Sequence, residues 1–396
     1  MTEAAAWNVV VVGGGLAGCA TAISLARRNV SVCLLHLMPA RPQLAVGESV
    51  PPDVRKVLRE LGLWEKFLEQ RHEPSLGSCS AWGGTDLGYN DFVLNPHGCG
   101  WHLDRTRLDA LLLDQANSCG VALFPISRFA LLESASDGST VLKTVAQDGA
   151  ERRLTARYVV DASGSRSVVA RQMGARQVVL DRLSFVYGIF DEPKAAITSQ
   201  LTLLEAQELG WWYSARLPGT KLAVAFASDA SIVRDHSLAR EREWLALLSK
   251  TRHLAQMIEG YRLKDIVVRV APTFRLDRVA GANWLAVGDA AAACDPICSQ
   301  GIMNALEDGI RAAAAILDAL NGHPDSKEHY AKYLDVRYTD YLANRNYFYG
   351  LERRWSESSF WTRRLSRNEK APFSAERTIS AAIPLVEFLE GSSYAR

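Results

Sequence analysis

The feature that most limits what this 396-residue chain can become lies near its start. There Gly13-Gly14-Gly15-Leu16-Ala17-Gly18 joins a β-branched apolar run, residues 7–12, to an Ala/Leu-rich stretch reaching about Arg28. A second apolar strand over residues 30–36 closes a βαβ unit. In that frame Gly13 allows the tight turn, Gly15 lets a pyrophosphate reach the backbone, and Gly18 lets helix and strand pack closely. The helix that begins there turns free N–H groups and its positive dipole end toward the phosphates. The spacing therefore predicts a dinucleotide site. At the end of the second strand, where an acidic residue usually takes the ribose hydroxyls, stands His36, with Arg41 as a helper.

Farther along, residues 103–117 have helical spacing and lead through Gly120 to a strand at 121–124, and residues 158–161 form another strand ending at Ala162-Ser163-Gly164. Segments 184–190, 199–206, 211–217, 221–227 and 265–271 are β-rich and predict a mostly antiparallel sheet. A short strand at 284–287 runs into Gly288-Asp289, a helix follows from about 301 to 320, and helices rich in aromatics and Arg continue from 325, with a loosely patterned tail after Asn368. The fold class is α/β, α+β overall: a Rossmann-like domain, a mixed-sheet substrate domain and a helical C-terminal region.

Composition narrows the partners. Lys+Arg number 45 against Asp+Glu 44, a net charge of +1, so nothing points to nucleic acid. Seven scattered cysteines without a CxxC pair predict reduced thiols in a cytoplasmic protein. The first residues lack the basic region of a secretory leader, and no run reaches the roughly 18–20 apolar residues of a membrane helix. There is no HExxH, no metal-spaced His/Cys set and no Gly-x-Ser-x-Gly, so neither metal nor acyl-transfer chemistry is expected.

Three further motifs complete a pattern: Gly47-Glu48-Ser49-Val50-Pro51-Pro52, Trp101-His102-Leu103-Asp104-Arg105, and Gly288-Asp289-Ala290 followed by Asp295-Pro296-Ile297-Cys298-Ser299-Gln300-Gly301. With the glycine loop and Asp161-Ala162-Ser163-Gly164, they resemble the FAD-binding signature of the p-hydroxybenzoate-hydroxylase-like flavoproteins over roughly residues 7–320. The resemblance implies FAD as cofactor, held by Gly13, Gly15, Ala17, Gly18, His36, Arg41, Ser49, Arg105, Asp289, Pro296, Gly301 and Ile302. Arg105 would lie along the phosphates and ribityl chain, Asp289 would hold a ribityl hydroxyl, and Gly301-Ile302 would offer N–H groups to the pyrimidine edge of the flavin. A helix starting there suits the negative charge of a reduced flavin.

Within this class the chain resembles the tryptophan-halogenase-like branch, through Gly47–Pro52, Asp295-Pro296 and Gly210-Trp211-Trp212-Tyr213-Ser214-Ala215-Arg216-Leu217-Pro218. Halogenases of that branch use a lysine, about thirty residues past the Gly-Glu loop, to receive hypohalous acid. Here no lysine occurs between Lys66 and Lys143. Ser78 to Gly83, the Asp295 loop and the aromatic, Arg-rich residues 347–361 look instead like the flavoproteins that hydroxylate a Trp or Tyr side chain of a partner protein to build a quinone cofactor.

The expected activity is therefore FAD-dependent monooxygenation of an electron-rich aromatic, with a Trp or Tyr side chain on a peptide or partner protein as the expected substrate. A halogenase of the same fold and a non-catalytic flavin-bound maturation factor are the alternatives. Electrons would come from NAD(P)H or from a flavin reductase. Monooxygenation needs a dry pocket, with Trp82, Trp101, Trp211, Trp212, Tyr213 and Phe226 as candidate walls. Glu48, Asp295, His97 and His72 are the candidate catalytic groups, and His102 and Asp86 are further candidate bases. The expected domains are residues 1–75, 100–180 and 272–322 for FAD, 76–99 and 181–271 for the substrate sheet, and 323–396 for the helical region.

Overall fold

Val9, Val10 and Val11 have no exposed surface and run through the middle of a parallel sheet in the computed structural model, which describes residues 5–37, 48–134, 138–193, 199–323 and 325–365. Strand Ala5–Val12 pairs in parallel with Val32–Leu37 on one side and Glu151–Asp161 on the other. Ala122–Ser134 and Trp284–Ala286 extend this parallel core outward. Thr140–Ala146 pairs antiparallel with both Ala122–Ser134 and Glu151–Asp161. Continuous apolar runs are what a strand covered on both faces requires. Helix Leu16–Ala26 lies against helix Gly301–Leu320, where Gly309 permits the approach: a Cβ there would stand 2.6 Å from the Ala17 carbonyl oxygen.

The second sheet has eight strands, in the order Ala292–Ala293, Arg262–Leu276, Gln177–Asp191, Lys221–Asp229, Gly210–Leu217, Leu201–Gln207, Gly77–Ala81 and Gly88–Asp91. The β-rich segments read from the sequence fall within it. Only the Leu201–Gln207 and Gly77–Ala81 pair is parallel. Side chains alternate between the faces of a sheet, and the register sorts them. Phe185, Ala227, Trp211 and Ala206 form one row on one face, and Tyr187, Ala225, Tyr213 and Leu204 the next. This face packs against helices Ser326–Leu351 and Ser359–Leu365 through Tyr349, Phe360 and Trp361. Val186, Phe226 and Trp212 point the other way, into a separate core with Trp244 of helix Glu241–Leu248. A three-stranded sheet of Glu48–Val50, Gly100–Leu103 and Glu73–Ser75 stands beside them. The mixed α/β architecture with a helical C-terminal region is the one expected.

Candidate functional site

At the glycine loop the backbone itself is shaped for a ligand. Gly13 has φ of +122°, and a Cβ on it would stand 2.1 Å from the Ala162 carbonyl oxygen; a Cβ on Gly18 would stand 1.9 Å from the oxygen of Gly13. Gly15 differs, since a Cβ there would meet nothing within 4 Å. Helix Leu16–Ala26 starts beside it without a side-chain cap, leaving donors and space where a pyrophosphate would lie. Gly14 lies close to His36, whose Cβ would be 2.5 Å from an added methyl. His36 is half-buried at its strand end, and burial lowers its pKa. Arg41 lies outside the described residues, as does Gly47.

Arg105 opens helix Arg105–Ser118 behind the capping residue Asp104. Its guanidinium pairs with Glu48 and, at 3.1 Å, with Asp109. Burial works against the charge, but these two carboxylates outweigh it and hold Arg105 protonated. Among the described residues its buried Nε has no partner, a donor available to an anionic ligand. Burial also raises the Glu48 carboxyl, against the pull of Arg105. Asp289 lies in the Gly288–Ala290 turn; it is exposed to solvent, yet desolvation by the surrounding protein raises its pKa while Arg337 and Arg105 oppose the rise. Gly288 makes the turn with φ of +56° and rests on the Ala17 methyl, 2.9 Å from where its own Cβ would be.

Pro296 is exposed at the first position of the turn Pro296–Cys298, and Ser299 follows with φ of 49°. Helix Gly301–Leu320 then begins with no side-chain cap, with Gly301 exposed and Ile302 buried. Asp295, expected near the reacting centre, is instead enclosed. Its carboxylate accepts from the Ile297 N–H at 3.0 Å and the Tyr349 hydroxyl at 2.8 Å, its own N–H donates to the Tyr341 hydroxyl at 2.8 Å, and Arg345 Nε lies 3.5 Å away. Cys294 and Cys298 are half-buried on the same loop.

Ser49 stands opposite His102 in the small sheet, and its Oγ lies 2.8 Å from His102 Nδ1, 3.3 Å from Thr202 Oγ1 and 3.4 Å from the Tyr213 hydroxyl. His102 Nε2 lies 3.2 Å from the Gln200 carbonyl. A carbonyl only accepts, so Nε2 carries the proton and Nδ1 accepts from Ser49. His102 is fully buried, and burial lowers its pKa. Tyr213 is half-buried on the face that carries Tyr187, with only the methyl of Ala225 between the two in their row.

The other expected site residues are placed apart from this group. His72 is packed on Phe67, its Nδ1 accepting from the Asp104 N–H at 3.1 Å and its Nε2 lying 3.0 Å from Gln70 Oε1; burial pushes its pKa down to about 4. His97 Nε2 lies 3.9 Å from Asp53 beside helix Val54–Glu60. Trp212 is on the far face of the sheet, fully buried against Trp244 and donating to Gln207 at 2.9 Å. Trp82 and Trp211 are on the near face, but their indoles donate to the Phe348 carbonyl at 2.7 Å and the Tyr349 hydroxyl at 3.1 Å. Helix Ser326–Leu351 covers them.

Sequence reading missed Asp308, Tyr333, Arg337, Tyr341 and Arg345, and took Tyr349 only as part of the aromatic stretch 347–361. Asp308, fully buried, accepts from the Gly288 N–H, lies 3.1 Å from Arg337 and 3.4 Å from the Tyr333 hydroxyl. The available signal was the alternation of Tyr and Arg at every fourth position from 333 to 349, a spacing that lines side chains along one strip of a helix.

Among the described residues no helix is long and apolar enough to cross a membrane, and no group of three His, Cys, Asp or Glu side chains could hold a metal ion. The chain is 28% identical to LodB of Marinomonas mediterranea, assigned as an FAD-dependent oxidoreductase, over 90% of this chain and 96% of LodB. It is 26% identical to the 1H-pyrrole-2-carbonyl-[peptidyl-carrier protein] brominase of Pseudoalteromonas luteoviolacea, over 84% and 82%. Among solved structures, the myxobacterial chondrochloren halogenase CndH superposes with a TM-score of 0.81 at 21% identity, covering 94% of this chain and 87% of CndH. The peptidyl tryptophan dihydroxylase QhpG does so with a TM-score of 0.68 at 24% identity, covering 91% and 79%. These two likenesses establish the fold. Residues 6–335 match the family model described as FAD binding domain, and with the open glycine cradle and the free Arg105 donor already in place, the chain belongs to that family of FAD-binding proteins.

Proposed function

We propose that this chain is an FAD-dependent enzyme that uses oxygen to hydroxylate an electron-rich aromatic ring, with a Trp or Tyr side chain of a peptide or partner protein as the substrate class. When bound, FAD supplies the oxygen activation. Gly13, Gly15, Gly18, Arg105 and Asp289 are the residues to hold it, with the N-terminus of helix Gly301–Leu320 at its anionic edge. The substrate ring is assigned to the neighbourhood of the Tyr213 hydroxyl, on the side of the sheet where Tyr187 and Tyr213 are both half-buried. Ser49 donates to His102 Nδ1, so a proton leaving the substrate through the Tyr213 hydroxyl passes to Ser49 and comes to rest on His102 Nδ1, while Nε2–H stays on the Gln200 carbonyl. Burial keeps His102 neutral, with Nδ1 unprotonated. Trp82, Trp211 and Trp212 then serve packing, and Glu48 holds Arg105.

The observation that carries hydroxylation over halogenation is the strand Gly77–Ala81, which offers Ser78 and Ser80 and no lysine to receive a hypohalous acid. Halogenation is the second reading, and the comparisons favour it: most of the similar curated proteins are named as halogenases, a brominase or a chlorinase. Two of these are named for carrier-protein-bound substrates and QhpG for a peptidyl one, which supports a protein-borne substrate in either case. The deciding experiment reduces the FAD-loaded protein chemically and adds oxygen with bromide and a tryptophan-containing peptide. Hydroxylation predicts a peptide that gains oxygen, and peroxide when the peptide is left out. Brominated peptide or trapped hypobromite would overturn it in favour of the halogenase.

A further inference from the structure

Helix Ser326–Leu351 carries Tyr333, Arg337, Tyr341, Arg345 and Tyr349 at every fourth position. A step of four residues turns about 400°, so the line drifts by about 40° per step and meets different neighbours in turn. Tyr333 and Arg337 reach Asp308, which holds the N–H of Gly288, the residue before Asp289. Tyr341, Arg345 and Tyr349 reach Asp295, at the head of the loop that leads to Gly301. Tyr349 also accepts from the Trp211 indole on the large sheet. Arg345 continues to Asp181, which Arg364 shares at 3.0 Å while binding Asp229 at 2.8 Å. Asp295, Asp308, Arg345, Tyr349 and Arg364 are each at most 2% exposed.

We propose that this line of tyrosines and arginines is a positioning device for the flavin. It sets where the Gly288–Ala290 turn and the start of helix Gly301–Leu320 stand, and so how strongly their N–H groups favour reduced over oxidised FAD. Through Trp211 the substrate sheet belongs to the same device. None of the five is among the residues assigned to hold FAD; they act through Asp308 and Asp295. A displaced helix start loses part of its hold on an anion because the dipole effect fades within about one turn. The inference rests on FAD occupying the site and not on the reaction proposed above.

The test compares Tyr349→Phe and Tyr341→Phe, each of which removes one hydroxyl from Asp295, with Trp361→Phe. Trp361 donates to the Gln207 carbonyl at 3.0 Å in the same core, and Asp295 is not among its hydrogen-bond partners in the described residues. The readouts are the reduction potential of bound FAD, FAD affinity and the melting temperature of the apoprotein. Tyr349→Phe and Trp361→Phe are expected to lower the melting temperature alike. Only the two tyrosine variants should lower the potential, by about 30 mV for a tenfold weaker preference for reduced FAD. Tyr341→Phe carries the test if Tyr349→Phe fails to fold. Unchanged potentials in the tyrosine variants, or an equal shift in all three, would overturn the proposal. A wild-type chain that takes up no FAD would instead defeat the cofactor assignment itself.

Discussion

The glycine loop and the tryptophan-rich sheet both promise a site from sequence, but they carry different kinds of information. At Gly13, Gly15 and Gly18 the missing side chain is the message: a methyl either strikes backbone or enters the space kept for the ligand. At Trp82, Trp211 and Trp212 the side chain is large and serves packing on either face of a sheet equally well. Trp211 and Trp212 are adjacent, yet one points to the C-terminal helices and the other to Trp244. Backbone constraints identify a location; large apolar side chains identify a core.

The sharpest way to break this comparison is Gly18→Ala. Its Cβ would press on the Gly13 oxygen, so a loss above about 4 kcal/mol is expected, in the range that marks a specific steric failure. Chemical denaturation measures it, and a variant as stable as wild type would refute the geometric reading of the loop. Trp212→Ala comes next, at about 3–5 kcal/mol for a fully buried indole, with the potential of bound FAD unchanged; a shifted potential would return Trp212 to the site.

The acid limb of stability gives a smaller effect. His72 is buried neutral, with its pKa down to about 4 from the ordinary 6.5. The unfolded chain therefore takes up a proton first, and stability contributed by this residue is complete above about pH 6.5 and falls as the pH drops toward 4. At pH 5 the loss is about 2 kcal/mol. His72→Gln should flatten the stability profile between pH 7 and 5 by about that amount, and an unaltered profile would show that His72 is not held neutral. The smallest effect on stability is expected for Gly15→Ala, within about 0.5 kcal/mol, with FAD affinity at least about tenfold weaker because the methyl fills the ligand's space. Equal losses in Gly15→Ala and Gly18→Ala would erase the distinction between the two glycines.

The parallel sheet, the antiparallel sheet and the two loops at Asp289 and Asp295 were legible because each rests on a local rule: continuous apolar runs, alternation, or a glycine where the chain must turn. Sequence spacing placed Glu48 beside Arg105 only by resemblance, and it could not show that Asp295 faces inward. That orientation depends on Tyr341 and Tyr349, some fifty residues away, and pairing across such a distance leaves no trace in a single local pattern. His72 and His97 were attractive as titratable groups near a loop, but partner atoms decide what an imidazole does. For His72 these are the Asp104 N–H and Gln70. His102, one of several candidate bases, was singled out for its proposed role by Ser49, one of the two residues opposite it in a three-stranded sheet.

The cysteine placement has a consequence for durability. Burial pushes the thiols of Cys19, Cys33 and Cys294 up to about 12, Cys79 to about 11, and Cys298 well above its ordinary value. Oxidants attack the thiolate, and at pH 7 a thiol with a pKa near 12 is ionised on the order of once in 10⁵ molecules. Two of these sulfurs, Cys294 and Cys298, sit on the loop that leads to Gly301, and burial keeps both as the thiol, the form that oxidants attack slowly.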